Sequence, residues 1–269
     1  MTDLERIGQG RTAEIFEYSK GKIIKLYKKG FPAEAINQEL EVSGLARSRG
    51  ICTPEPFGHA YLDGREALIF QRISGASLLS LFIKKPWNIH KYSKWLAELH
   101  AEIHAHEAAE LKRKQKKVLC KYIQQAPLLN EREKEMIIRY TKELPDGNKL
   151  CHGDFHPDNV MVDGGYWIVD WMTGMSGNPA GDAARSIILL GVGSMPDGTP
   201  APVKLLVQFL RNRLKNAYIK EYLKITGHHY SAIDEWILPI AAARLSEWIP
   251  QGEKDELVSI IRARLKALA

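Results

Sequence analysis

The most informative stretch of this chain reads His152-Gly153-Asp154-Phe155-His156-Pro157-Asp158-Asn159-Val160-Met161-Val162-Asp163-Gly164-Gly165-Tyr166-Trp167-Ile168-Val169-Asp170-Trp171. A tight polar loop carries Asp154 and Asn159. The apolar run to Val162, the turn Asp163-Gly164-Gly165 and the run from Tyr166 to Asp170 then predict a hairpin. That hairpin returns the chain on itself, so Asn159 and Asp170 stand on neighbouring strand ends. Amide and carboxylate oxygens are hard donors of the kind Mg²⁺ takes together with water and phosphate oxygens. Asp154 is then left to accept a hydrogen bond from a substrate hydroxyl. A single Asp-x₄-Asn reads equally as a turn whose side chains bond their own backbone. The third oxygen donor after the hairpin favours the metal and phosphate reading.

Working outward, the N-terminal segment Ile7-Gly8-Gln9-Gly10-Arg11-Thr12-Ala13 places two glycines between predicted strands. Gly8 and Gly10 let backbone N–H groups approach a phosphate, and the Thr12 hydroxyl adds a donor. Lys25 lies in the apolar strand Lys22-Ile-Ile-Lys-Leu-Tyr27 and can reach phosphate oxygens from there. Glu39, on a helix opened by Pro32 and running to about Ser48, can hold that lysine by an ion pair. Glu34 and Glu41 compete for the same part. Further strands are predicted near 59–62 and 66–73, with Asp63-Gly64 as the hairpin turn.

After Ser74-Gly75 the pattern becomes helical. One long helix is predicted over 89–117, with Tyr92, Leu96, Leu99 and Ile103 at three- and four-residue steps. Others are predicted at 131–144, 201–225, 231–249 and 253–268, and Asp182 reads as the N-cap of another, with a possible second part in bracing the 152–159 loop. The composition is that of an ordinary globular chain: 269 residues, 45% hydrophobic and 26% charged. This excludes disordered and collagenous classes. No apolar run reaches the roughly 20 residues of a membrane span. No signal peptide is visible, and three widely spaced cysteines fit a reducing compartment, so a cytoplasmic location is expected. A net charge of +6 suits an anionic ligand.

Taken in chain order (Gly turn, strand lysine, helix glutamate, hinge near 71–76, Asp-x₄-Asn, hairpin, Asp) the sequence resembles the aminoglycoside phosphotransferase and choline kinase group. These are small-molecule relatives of the protein kinases, and the resemblance runs from about Leu4 to Leu190. It implies an α+β, protein-kinase-like two-lobe fold. Residues 1–73 would form a small antiparallel-sheet lobe that binds nucleotide, and residues 74–269 a larger, mainly helical lobe with the catalytic and acceptor-binding groups. It implies ATP and Mg²⁺, and transfer of the γ-phosphoryl group to a hydroxyl of a small molecule such as an antibiotic, sugar or amino alcohol. Asp154 resembles the catalytic Asp of the family. Asn159 and Asp170 resemble its magnesium ligands, and Lys25 and Glu39 its phosphate-binding lysine and helix partner. Leu68 to Ile73 resembles the hinge strand, with Phe70 behind the adenine and the backbone of Gln71 and Ile73 bonding its edge.

Three departures from protein kinases fit the small-molecule branch. Thr12 and Ala13 stand where a third glycine is usual, Gly153 where Arg often precedes the catalytic Asp, and Trp171-Met172 where Phe-Gly follows the metal-binding Asp. The segment Trp171 to Gly181 has no basic residue and no A-P-E ending, so no activating phosphosite is expected. A non-catalytic nucleotide-binding scaffold is the alternative; the complete set Lys25, Asp154, Asn159 and Asp170 argues against it.

Weaker signals carry blander readings. His100 and His104 share a helix face at metal-ligand spacing, but without HExxH order or an obvious third ligand they are assigned to packing or capping. The basic run 112–117 is read as a solvated helix terminus, so no nucleic-acid partner is expected. Trp236, Trp248, Tyr222 and Tyr230 fall where the family builds its acceptor pocket, yet their spacing suits core. Basic groups outnumber acidic ones from residue 196 onward, which disfavours a polycationic acceptor, although Asp234-Glu235 or Glu247 offer local acidity.

Overall fold

Short β-branched and aromatic runs separated by glycine turns build the first part of the chain. The structure, a computed structural model, describes residues 4–193 and 200–268. Strands β1 (Arg6–Gln9), β2 (Ala13–Ser19), β3 (Lys22–Tyr27), β4 (Pro56–Leu62) and β5 (Arg65–Gln71) form one sheet in the order β1-β2-β3-β5-β4. Every neighbouring pair is antiparallel. The Asp63-Gly64 turn has φ of 50° and 73°, the double positive φ that such hairpins need.

Alternation along β3 sends Ile24 and Leu26 to one face, where they meet Ala67. Tyr27, with Ile23 beside it, packs instead with Ala13, Leu68, Phe70 and Ile36. Ile36 comes from helix α1 (Ala33–Ser48), which covers this second face. Lys25 shares that face through the same alternation, and so points toward α1.

A second sheet joins β6 (Ala76–Ser77), β8 (Val160–Val162) and β9 (Tyr166–Ile168). The chain divides into two compact units, Met1–Leu81 with Pro157–Gly174, and Phe82–His156 with Met175–Ala269. This is not a single cut after residue 73. The predicted hairpin belongs with the N-terminal unit, because β6 pairs with β8 and the Ile168 N–H donates to Cys52 O.

The second unit is mainly helical. It contains α3 (Ile89–Ala105), α4 (Gln115–Gln124), α5 (Glu131–Glu143), α6 (Pro179–Gly191), α7 (Ala201–Thr226), α8 (Tyr230–Arg244) and α9 (Gln251–Leu268), plus paired strands β7 (Lys149–Cys151) and β10 (Met175–Gly177). A short helix α2 (Leu78–Lys84) spans the division. No helix among the described residues is long and apolar enough to cross a membrane.

The single helix predicted over 89–117 is two. Beyond Ala105 the chain turns extended, Ala108 N–H donates to Asn148 O, and Leu150 N–H donates to His106 O. Pairing with β7 overrides the helix-forming composition of 107–113. The basic run then opens α4, the wrong end for compensating that helix's own dipole. Lys116 instead donates to Lys142 O and Leu144 O, capping the C-terminus of α5. Helix α6 also starts earlier than predicted. Its N-cap is Asn178, whose side chain accepts from Ala180 N–H, with Pro179 following, so Asp182 lies in the first turn.

Candidate active site

The residues predicted to face phosphate lie in the first unit. Lys25 Nζ donates to Glu39 Oε1 at 2.6 Å and to Asp170 Oδ1 at 2.9 Å. Of the three glutamates considered on α1, Glu39 is the buried one; Glu34 and Glu41 are exposed. Tyr27, two residues beyond Lys25 on the same strand face, donates its hydroxyl to Glu39 Oε2 at 2.7 Å. Glu39 is thus fixed through both oxygens. Burial works against the Lys25 charge, but Glu39 and Asp170 outweigh it and hold the lysine above its ordinary pKa. Burial pushes the Glu39 carboxyl up, opposed by Lys25.

Asp170 and Asn159 are brought together by the hairpin. Val160 pairs with Ile168, and Val169 N–H donates to Asn159 O at 3.0 Å. Asp170 has a left-handed backbone, φ 65° and ψ 63°, which turns the chain away from β9. Trp171 is buried and donates Nε1–H to Thr53 Oγ1 at 3.0 Å, while the Thr53 hydroxyl donates to Ile168 O at 2.7 Å. Gln38 Nε2 on α1 donates to Gly174 O at 2.8 Å. The tryptophan and these two polar side chains therefore fasten the segment around Asp170 at both ends.

One amide oxygen and one carboxylate oxygen on adjacent strand ends form a donor set that fits Mg²⁺ completed by water and phosphate. The Gly turn fits a phosphate for a separate reason. A Cβ on Gly8 or Gly10 would meet nothing in the protein closer than 3.6 Å, and neither glycine has positive φ. Folding does not require glycine at these positions, whereas close approach of an external ligand does. Phe70 is buried in the core cluster of β3, β5 and α1. Gln71 N–H donates to Glu55 O at 2.9 Å, so of its backbone groups the carbonyl is the one suited to a base edge.

Asp154 lies in the second unit, in the loop after β7. Helix α6 grips this loop with three residues at i, i+3 and i+4: Asp182, Arg185 and Ser186. Asp182 Oδ2 accepts from His152 N–H at 2.6 Å and its Oδ1 from Gly153 N–H at 2.8 Å. Gly153 has φ 78°, a conformation that disfavours any side chain there. Ser186 donates to Phe155 O at 2.7 Å. Arg185 Nη2 donates to Asp154 Oδ1 at 3.1 Å, and His156 Nε2 is 3.5 Å from Asp154 Oδ2. Burial alone would raise Asp154; His156 and Arg185 outweigh it and hold the carboxyl well below the usual carboxylate range.

The imidazole pair on α3 has its third polar partner in Asp182. Both Nε2 atoms lie 3.1 and 3.2 Å from Asp182 Oδ2, and the Nδ1 atoms of His100 and His104 lie 2.7 and 2.6 Å from the hydroxyls of Tyr218 and Tyr222. The three groups are spaced as metal ligands could be. Each ligand atom is nevertheless satisfied by protein if both rings donate Nε2–H to Asp182 and accept the tyrosine O–H at Nδ1. The cluster is a buried brace for the 152–153 backbone. Burial would raise Asp182, but hydrogen bonds from His100 and His104 hold it far down; burial and then His104 push His100 down to about 3.

Arg185, Ser186, Tyr27 and Thr53 were missed in the sequence. The first two had a signal, the Asp182-x-x-Arg-Ser spacing on one helix face. Tyr222 and Trp236 are core, while Tyr230 and Trp248 are exposed. Ser176 in the 171–181 segment is buried, with its hydroxyl accepting from Lys114.

The model of the phosphotransferase enzyme family matches residues 3–218, and the chain belongs to that family. The fold is shared with solved structures of low sequence identity. An aminoglycoside-3'-phosphotransferase of type VIII is 15% identical, with 91% of this chain and 92% of that one covered and a TM-score of 0.64. A choline/ethanolamine kinase family protein from Mesorhizobium loti is 18% identical over 99% and 88%, with a TM-score of 0.53. The streptomycin–ATP–APH(2")-IIa ternary complex is 14% identical over 97% and 91%, with a TM-score of 0.56. No curated protein sequence matches the chain. The chain is thus a phosphotransferase-family protein on a fold that these kinases share.

Proposed function

We propose that this protein transfers the γ-phosphoryl group of ATP to a hydroxyl of a small molecule. The observation that carries the reading is the Lys25–Glu39–Asp170 constellation, three charged groups from distant segments meeting within hydrogen-bond distance. Lys25 would release Asp170 to the nucleotide-bound cation and turn to phosphate oxygens. Asn159 and Asp170 would hold Mg²⁺, which when bound offsets charge on the triphosphate. Gly8, Gly10 and Thr12 would cradle phosphates, with the Gln71 carbonyl and Ile73 N–H meeting the base in front of Phe70.

Asp154 would align the acceptor hydroxyl. Phosphoryl transfer passes through a loose transition state, so positioning contributes more than basicity. A carboxylate held well below its usual range suits an aligner that takes the proton late. The acceptor oxygen bonds the γ-phosphorus, the bond to the β,γ-bridging oxygen breaks, and ADP leaves with that electron pair.

Of the local acidic groups named above, Asp234 and Glu247 are already paired within the protein, and Glu235 is exposed. Asp234 is held by both terminal nitrogens of Arg264, and Glu247 by Arg185 and Arg244. This favours a neutral or weakly charged acceptor over a polycationic one. Three cysteines in no disulfide suit a reducing cytoplasm, where ATP is also available. The test is a screen for acceptor-dependent ADP release over sugars, amino alcohols and antibiotics. Acceptor-dependent release in the wild type, abolished in Asp154→Ala, is expected. Release that survives in Asp154→Ala contradicts the reading.

A further inference from the structure

The Asp154 carboxylate is the near end of a chain of alternating charges. Arg185, on α6, donates Nη2 to Asp154 Oδ1 at 3.1 Å. The same guanidinium bonds Glu247 through both terminal nitrogens, Nη1 to Oε1 at 2.6 Å and Nη2 to Oε2 at 3.1 Å. Glu247 Oε2 also accepts from Arg244 Nη1 at 2.9 Å, and Arg244 Nε donates to the buried Glu253 at 2.9 Å. Arg185 is only 12% exposed, Arg244 only 5% and Glu253 only 8%, so this is not a surface ion pair of small consequence.

A bidentate guanidinium–carboxylate pair has a fixed planar geometry, unlike a lysine. Glu247 therefore does more than neutralise Arg185. It sets the plane and reach of the guanidinium, and Nη2 is the nitrogen that bridges Glu247 and Asp154. Glu247 itself stands in the connection between α8 and α9, anchored at α8 by Arg244 and through that residue to α9 by Glu253. Helices α8 and α9 are thus tied to the orientation of Asp154 in the 152–159 loop. The loop backbone has separate fastenings, Asp182 and Ser186. The Arg185 contact is therefore available to act on the carboxylate rather than on the fold of the loop.

We propose that Arg185, set by Glu247, is a positioning residue that fixes the Asp154 carboxylate for the acceptor hydroxyl. The proposal rests on the kinase reading above. Arg185 touches neither reacting atom; it acts through Asp154. During transfer the hydroxyl proton passes to the Asp154 carboxylate as the new O–P bond forms, and Arg185 keeps that carboxylate in one orientation until the proton arrives. Its loss is therefore expected to lower kcat and leave nucleotide affinity alone.

The experiment compares Arg185→Met, Arg185→Lys, Glu247→Gln and Asp154→Ala in the full chain. Nucleotide binding is read by calorimetry, folding by thermal melt, and kcat and KM by acceptor-dependent ADP release. Misplacing a catalytic group by about 1 Å costs about 10²-fold. Arg185→Met should lose about that much in kcat with the ATP KM and nucleotide affinity unchanged. Arg185→Lys restores the charge without the fork and should recover only part of the loss. Glu247→Gln keeps Arg185 and loosens its backing, so a smaller loss in kcat, again without a change in ATP KM, is expected even if Arg185→Met folds poorly. Near-wild-type kcat in folded Arg185→Met and Glu247→Gln, beside an inactive Asp154→Ala, would overturn the positioning role while leaving the kinase reading intact. Full activity in Asp154→Ala as well would overturn both.

Discussion

The two charged centres of this protein are held in opposite ways. In the first unit, Lys25, Glu39 and Asp170 hold one another directly, charge against charge. In the second, Asp154 sits on a backbone pinned by a buried aspartate, which is itself held by two imidazoles and, through them, two tyrosines. Under the proposed function, the first arrangement would let its groups exchange partners with a nucleotide and cation. The second keeps a loop fixed, and leaves the orientation of one carboxylate to Arg185. Mobility of charge suits phosphate binding, and rigidity suits alignment of a hydroxyl.

Substitutions in the two centres should therefore separate. Asp154→Ala gives the largest expected effect, a loss in kcat of about 10²- to 10⁴-fold, the range typical of a positioned acid–base group. Its nucleotide affinity, measured by calorimetry, should stay at the wild-type value. Weakened nucleotide binding in this variant would blur the division.

Asp182→Ala attacks the rigid centre at its root. It leaves two buried N–H groups and two imidazoles without their acceptor, and breaking such a buried cluster costs about 3–5 kcal/mol. Chemical denaturation is expected to show that loss of stability. A change in activity with full stability would mean that the cluster is not the brace described.

Asp170→Ala and Asn159→Ala should instead weaken magnesium-dependent nucleotide binding, by about 10- to 100-fold on the scale of metal-site substitutions. Lys25→Ala should raise the ATP KM. Unchanged magnesium titrations in both metal-side variants would remove the metal assignment.

The effect at neutral pH is smallest for His100, whose contribution is lost only on acidification. Burial holds His100 neutral in the fold, with its pKa pushed down to about 3 against an ordinary value near 6.5. Between those values the unfolded chain binds the proton and the native protein does not. Stability contributed by this group is therefore full above about pH 6.5 and falls as pH drops toward 3, by up to ~1.4 kcal/mol per pH unit. Denaturation at a series of pH values should show that slope, and His100→Asn should flatten it. An unchanged slope would mean that other groups dominate.

The same contrast explains what was legible in the sequence. The Lys25–Glu39–Asp170 meeting was legible because a lysine in an apolar strand, a helix glutamate and an aspartate after a hairpin each stand out by type. The strands around them were readable because glycine and Asp-Gly turns punctuate them. Tyr27 was not, since a tyrosine in a strand reads as core, and here it is core and hydrogen-bond donor together. The rigid centre was mostly hidden. His100 and His104 became meaningful only when folding brought Asp182 to them across some eighty residues. The break between α3 and α4 was hidden for a similar reason, because pairing with β7 is a long-range event that local composition does not encode.

In the proposed reaction, phosphate moves from ATP to a small-molecule hydroxyl under the control of Asp154. The most direct measurement supplies γ-labelled ATP, Mg²⁺ and a hydroxyl-bearing acceptor identified by the screen, and follows the label by phosphorus NMR and mass spectrometry. The account predicts label in a phosphate ester on an acceptor oxygen, formed by the wild type and not by Asp154→Ala. Label found only in inorganic phosphate, or an ester formed equally by Asp154→Ala, would contradict it.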